Sequence, residues 1–231
     1  MSDRVVLVTG AASGIGAACA QVFADHGWTT AGLDLRESAT DTAYVADVSD
    51  RPAVAEAVRG VLADHGRIDA LVTAAGYYEE GIDVAEISRE RWDRMLAVIL
   101  GGTANCAWAV LPHLLERGDG SMVAISSELA LAGSATDLHY VAAKGAVLGL
   151  IKSLAAEVAH TGVRVNAVAP GPTDTPLLAG DSIWREPEYL ATLPLGRLVT
   201  PAEIAGAVYY LVTEGTAFCG EVLSPNAGAV I

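Results

Sequence analysis

RVVLVTGAASGIG, residues 4–16, is the stretch on which the reading of this chain turns. Residues 4–9 form an apolar, β-branched run that ends at a glycine, the pattern of a strand buried on both faces. From about residue 15 to 26 the apolar spacing becomes helical. Between the two lies TGAASGIG, Thr9 to Gly16, a glycine-rich turn placed directly after a strand and directly before a helix. Gly10 allows the tight turn, Gly14 lets a pyrophosphate approach the backbone, and Gly16 lets the helix lie close to the sheet. The helix N-terminus then presents free N–H groups and its positive dipole end to the phosphates.

The alternation continues outward from this unit. Strands are expected at 29–33, 43–45, 68–73, 121–126, 163–168 and 221–223, and helices at 51–65, 88–116 and 140–160. Thr200-Pro201-Ala202-Glu203 reads as a further helix start, with Thr as N-cap, Pro in the first turn and Glu three residues after the cap. Strands alternating with helices of this length pair in parallel through crossovers, which gives an α/β sheet covered on both faces. No repeat, low-complexity segment or linker divides residues 1–231, so a single domain is expected. Its one irregular stretch, about 172–196, is rich in Pro and Gly and reads as a loop over a site.

Asp34 closes the second strand in AGLDLR. A carboxylate there accepts hydrogen bonds from both ribose hydroxyls of an adenosine and repels a 2′-phosphate, so NAD is favoured over NADP. Arg36, two residues on, is the one group nearby that could meet a 2′-phosphate.

The formal net charge of −14 argues against nucleic acid or an anionic membrane as the main partner. Three scattered cysteines without CxxC spacing suggest reduced thiols and no metal site, and the four apolar residues 5–8 are too few for a signal peptide. A cytoplasmic protein is expected. Residues 96–115 carry no Asp, Glu, Lys or Arg and are long enough to span a bilayer. Gly101-Gly102, Asn105 and Pro112-His113 favour instead a buried helix with cover on two sides, the core on one and a second subunit on the other.

Only two lysines, Lys144 and Lys152, stand against twelve arginines, and one of them follows Tyr140 by four residues in YVAAK. That spacing puts both side chains on one helix face. A free tyrosine titrates near 10 and is a poor base at neutral pH. A nearby ammonium and an oxidised nicotinamide ring both favour the phenolate and bring it toward working pH.

With TGAASGIG, Asp34, YVAAK and RVNAVAPGPTDTP in this order and spacing, the chain resembles the short-chain dehydrogenase/reductase family over essentially its whole length. The resemblance implies a doubly wound, seven-stranded parallel sheet of Rossmann type, a nicotinamide cofactor, and a homo-tetramer or homodimer. It places the catalytic tyrosine and lysine on Tyr140 and Lys144, and the catalytic serine on Ser127 rather than its neighbour Ser126. The cofactor-binding set it implies is Gly10, Ser13, Gly14, Ile15, Gly16, Asp34, Leu35, the adenine-contacting pair Asp47-Val48, Ala74, Ala75, Gly76, Tyr140, Lys144, Pro170, Gly171, Thr173 and Thr175. The last two match the positions that meet the carboxamide and nearby phosphate.

Three departures stand out. The family's Asn-Asn-Ala-Gly after the fourth strand is Thr73-Ala74-Ala75-Gly76 here, which removes the amides that brace the strands. Its Asp-Gly-Gly near the C-terminus is Asn226-Ala227-Gly228. The asparagine of its catalytic tetrad falls on Ile99, whose side chain cannot hold a water, so a slower proton relay is expected.

The expected substrate walls are Tyr77 and the residues after it, Tyr78-Glu79-Glu80; Glu128 and Leu129; His139; and the loop 177–193 with Trp184. Aromatic and aliphatic groups suggest a small, mostly apolar molecule with one reactive oxygen, and inward-pointing glutamates would disfavour an anion. The leading expectation is hydride transfer between NAD(H) and a secondary alcohol or ketone. The alternatives are a cofactor-binding regulator or scaffold with weak catalysis, and a 3-oxoacyl-carrier reductase.

Overall fold

Alternate residues of the first strand enter different cores. In β1 (Val5–Thr9), Val5 and Leu7 join one apolar cluster and Val6 and Val8 the other, as period-two side chains must when both faces are covered. β5 (Gly120–Ile125) divides the same way, with Met122 and Ala124 on one side and Val123 and Ile125 on the other. The computed structural model describes residues 4–178 and 180–230. The ends of the expected domain, 1–3 and 231, and Ala179 of the expected loop lie outside the described residues.

With β2 (Thr29–Asp34), β3 (Thr42–Val45), β4 (Ala70–Thr73), β6 (Val163–Val168) and β7 (Val222–Leu223), these strands form one seven-stranded sheet in the order β3-β2-β1-β4-β5-β6-β7. Every pairing is parallel. α1 (Gly14–Asp25) and α8 (Pro201–Thr213) cover one face through Cys19, Phe23, Ile204 and Val208. α2 (Arg51–His65), α4 (Gly102–Arg117) and α6 (Leu138–Val158) cover the other through Val58, Val110 and Val147. This is the parallel α/β sheet covered on both faces expected from the alternation, doubly wound as the resemblance implies. The start of α8 carries the expected capping box between Thr200 and Glu203.

The helix expected at 88–116 is more complex than its periodicity suggests. α3 (Arg89–Leu96) passes through one wide π turn, Ala97–Gly101, before continuing as α4. Arg89–Arg117 is long and apolar enough to cross a bilayer by length and composition. In the fold its Ile99, Cys106, Val110 and Leu114 sit in the core, and its outward Trp108, 55% exposed, is stacked under the Arg51 guanidinium at 4.6 Å. A cation thus covers part of the outer face.

At the C-terminus Asn226 holds the chain by donating to the Val230 carbonyl at 2.8 Å and accepting from the Gly228 N–H at 2.8 Å. Ala227 takes the left-handed conformation, φ 56, which costs a residue with a Cβ about 1–2 kcal/mol. Its buried methyl offsets part of that cost.

Candidate active site

β1 and β4 lie side by side, and the chain winds outward from them in opposite directions. A crevice opens at the carboxyl ends of such a strand pair. Here it is a cleft of about 940 Å³. Of the expected site residues named singly, all but His139 and Glu80 line it.

At one end, β1 runs through Gly10 into the N-terminus of α1. A side chain on Gly16 would place its Cβ 2.1 Å from the Gly10 carbonyl oxygen, so helix and turn touch backbone to backbone. The N-cap, Ser13, is extended and makes no side-chain cap bond, which leaves first-turn N–H groups open to an anionic ligand. Asp34 is fixed at the end of β2, its Oδ2 accepting from the Ala12 N–H and its Oδ1 from the Arg36 N–H, both at 3.1 Å. Burial raises Asp47, but the Ser49 hydroxyl and N–H and the Arg94 guanidinium outweigh it and hold the carboxyl below its ordinary range. Its neighbour Val48 is held from α4, where the Asn105 amide donates to the Val48 carbonyl at 2.9 Å. This cradle suits a dinucleotide: an open helix N-terminus, glycines in backbone contact, and carboxylates at the far wall.

The missing strand-bracing amides have a substitute. The Thr9 hydroxyl accepts from both the Ala74 and Ala75 N–H groups at 3.1 Å. β1 therefore ties itself to the exit of β4, next to Gly76.

At the other end stand Ser127, Tyr140 and Lys144, brought together by the exit of β5 and the first two turns of α6. Ser126 donates its hydroxyl to the Lys144 carbonyl at 2.9 Å, a structural bond, which leaves Ser127 as the serine of this end. Burial pushes the Tyr140 hydroxyl above its ordinary range, the Glu128 charge adds to that, and only the Ser127 hydrogen bond works against it. Lys144 lies with Nζ 5.8 Å from the centre of the Tyr140 ring and donates to the Ile125 carbonyl at 2.8 Å. Burial pushes its ammonium down to about 8. The expectation that Lys144 lowers Tyr140 by direct proximity is thus modified: the two share a face, but the lysine's hydrogen bond goes to β5.

Ile99 fills the π turn beside this end, buried, with its Cγ1 3.7 Å from where a Cβ on Gly76 would sit. Its carbonyl, the acceptor this position retains for a water, already accepts from the Thr103 hydroxyl at 2.7 Å.

The substrate side departs from expectation at His139 and at the glutamates. His139 is fully buried, with Nε2 3.3 Å from Glu79 and Nδ1 without a partner among the described residues. It lies one residue from Tyr140 on α6, and that 100° turn aims it away from the cleft. Glu79 and Glu80 are not simply solvated. Glu79 also faces Arg91 at 3.7 Å. Glu80 accepts from the Ser182 hydroxyl at 2.6 Å and from the Ile183 N–H at 2.9 Å, and so pins the loop.

That loop forms a short 3-10 turn, Ile183–Arg185, and α7 (Pro187–Leu190). Arg185 donates to Asp174 at 2.7 Å and to the Thr175 carbonyl at 3.1 Å. Trp184, set edge-on to Tyr189 with ring centres 4.8 Å apart, and Leu178 reach the cleft.

Asp137, at the N-cap of α6, is a residue that sequence reasoning passed over. Fully buried and at φ 63, its carboxylate accepts from the Tyr78 hydroxyl, the Ile82 N–H and the Thr136 hydroxyl, each at 2.8 Å. Tyr78 thereby stands edge-on to Tyr140, ring centres 4.9 Å apart. Asp137→Ala is expected to cost about 2 kcal/mol, because three donors lose their acceptor. Urea denaturation reads it, and an unchanged midpoint would mean that water replaces the carboxylate without loss. Arg91 and Arg94 were also missed as cleft residues. Arg94 meets Asp47 across 47 positions, and no local pattern announces such a pair.

Comparison with known proteins agrees with this geometry. A family profile described as enoyl-(acyl carrier protein) reductase matches residues 10–229. The chain is 37% identical over 240 residues to a cis-4-hydroxycyclohexanecarboxylate dehydrogenase of Sinomonas cyclohexanicum, covering 98% of this chain and 96% of the relative. It is 33% identical over 245 residues to a 3-oxoacyl-(acyl-carrier-protein) reductase of Thermotoga maritima, covering 100% and 99%. The solved structure of a Thermoplasma acidophilum aldohexose dehydrogenase superimposes with a TM-score of 0.91 at 32% identity, covering 98% of this chain and 93% of that one. A glycine-turn cleft that ends on serine, tyrosine and lysine and relatives that match along the whole chain lead to one conclusion: the protein belongs to the short-chain dehydrogenase/reductase family of nicotinamide-dependent oxidoreductases.

Proposed function

We propose that the protein interconverts a small, neutral secondary alcohol and its ketone with NAD(H). The observation that carries this reading is the convergence of Ser127, Tyr140 and Lys144 at one end of a cleft whose other end is the glycine turn and Asp34. When bound, the nicotinamide ring supplies or accepts hydride, and its oxidised form adds a positive charge. Tyr140 gives a proton to the carbonyl oxygen in reduction and removes it from the alcohol in oxidation. Ser127 holds the same oxygen. Lys144 holds the ribose hydroxyls and, with a proton affinity already lowered by burial, passes protons toward Tyr140. The walls given by Tyr78, Leu129, Leu178 and Trp184 exclude water.

Asp34 supports NAD over NADP. Both of its oxygens are fixed by backbone N–H groups, so the carboxylate cannot swing away from a 2′-phosphate. Asp34→Asn keeps one acceptor oxygen, sets an amide NH2 against the other backbone N–H, and removes the charge. It is expected to lower the NAD/NADP ratio of kcat/KM roughly 30-fold, as the loss of one charge-assisted contact and one repulsion would. Steady-state kinetics with each cofactor measure this, and a wild-type enzyme that uses both equally would remove the assignment.

The relatives favour substrates of different kinds: by their names, a ring alcohol bearing a carboxylate, an acyl chain on a carrier protein, and a sugar. The buried Glu128 beside the reacting end disfavours an anion there. Absorbance of NADH during turnover across ketones, matching alcohols and a 3-oxoacyl thioester tests the reading, and thioester reduction at the best rate would turn it to the carrier reductase.

A further inference from the structure

Glu128 is the residue that the reaction above leaves unused. Its side chain is only 6% exposed, yet it lines the cleft immediately beside Ser127. Among the described residues no cation pairs with it. Its side-chain partner is the Ser127 hydroxyl, which donates to Oε2 at 3.1 Å. The facing titratable groups are Tyr140 on α6 and Tyr189 on α7, and the Glu128 charge raises the pKa of both, behind burial. Burial pushes Glu128 itself up to about 7. A carboxylate in an apolar wall without a cation is costly, and a donor supplied by a ligand would relieve that cost.

Two distances suggest which donor. Ser127 Oγ and Glu128 Oε2 are 3.1 Å apart, so two substrate oxygens bonded to them side by side would also lie about 3 Å apart, one hydrogen-bond length. Neighbouring hydroxyls in a staggered gauche arrangement have about that spacing. There is also a proton to account for. A hydroxyl hydrogen serves one acceptor at a time, and that of Ser127 is shared between Glu128 and Tyr140. A substrate hydroxyl that donates to Glu128 takes its place and frees the Ser127 proton to turn to the reacting oxygen.

We propose that Glu128 is a specificity-determining residue that binds a hydroxyl on the carbon next to the reacting one, so that the preferred substrate is a vicinal diol or the matching α-hydroxyketone. This rests on the dehydrogenase reading and narrows its substrate. The test compares cyclohexanol with cis-1,2-cyclohexanediol, one ring with and without the second hydroxyl, as substrates with NAD. The wild type is expected to favour the diol in kcat/KM by roughly 10–100-fold, the range for a charged hydrogen bond in a dry site. Glu128→Leu should abolish the preference, and Glu128→Gln, which keeps an acceptor oxygen, should retain part of it. A ratio is insensitive to how much enzyme folds. A wild-type ratio near one, or an unchanged ratio in Glu128→Leu, overturns the proposal. If neither alcohol turns over, the dehydrogenase reading fails by itself, and the ratio of the two dissociation constants measured with NAD present decides the role of Glu128.

Discussion

Replacing Tyr140 by phenylalanine is expected to lower kcat roughly 1000-fold, the usual weight of a positioned general acid–base, while the dissociation constant for NADH changes little. The ring keeps its edge contact with Tyr78 at 4.9 Å, and its buried environment accepts phenylalanine without a cavity. The hydroxyl is held neutral by burial and the Glu128 charge, so its removal takes away no buried charge. Stopped-flow single turnovers with NADH and the best ketone separate the two effects. Turnover within about 10-fold of wild type would hand the proton step to another group. Glu128 would then be the first candidate, because it sits next to Ser127 and titrates close to neutral pH.

Gly16→Ala is expected to cost at least about 4 kcal/mol and to abolish measurable NADH binding. The added Cβ would lie 2.1 Å from the Gly10 carbonyl oxygen, 2.5 Å from its carbon and 3.0 Å from the Thr9 oxygen. All are backbone atoms, so no side chain can yield, and the start of α1 must lift off β1. Overpacking of ordinary side chains costs about 1–3 kcal/mol, and a backbone-to-backbone clash exceeds that. For a domain of this size, about 4 kcal/mol corresponds to a fall of roughly 8–16 °C in Tm. Gly14→Ala is the control. There the Cβ meets only the Thr175 side chain at 3.4 Å, and the loss should be about 1 kcal/mol from its positive φ alone. Equal Tm losses at the two positions would show that conformation, not close approach, governs the turn.

Much of this site was legible because its signals are local. The glycines of residues 10–16, the carboxylate that closes β2, and the tyrosine and lysine four apart on one helix are each set by sterics or periodicity over a few residues. The resemblance to known dehydrogenases linked these local signals across the chain. The π turn at Ala97–Gly101 was not legible, since a one-residue widening leaves the apolar pattern of Arg89–Arg117 intact. His139, expected on the substrate side, is buried and outside the cleft lining, since adjacency to Tyr140 in sequence places it about a third of a turn away around α6.

The chain's sequence by itself determined the alternation of strands and helices, hence a parallel sheet covered on both faces, and many of the residues that line its cleft. Burial, and the partners each polar group finds, were decided only by the tertiary structure. Glu79, Glu80 and Glu128 are alike as residues in loops. One faces a buried histidine, one pins the substrate loop from 102 positions away, and one is shut in beside Ser127 with its proton affinity raised. Thr9 replaces the family's bracing amides by reaching residues 65 and 66 positions on. These differences come from solvent exclusion and from contacts between distant segments, and a carboxylate's chemistry follows what surrounds it.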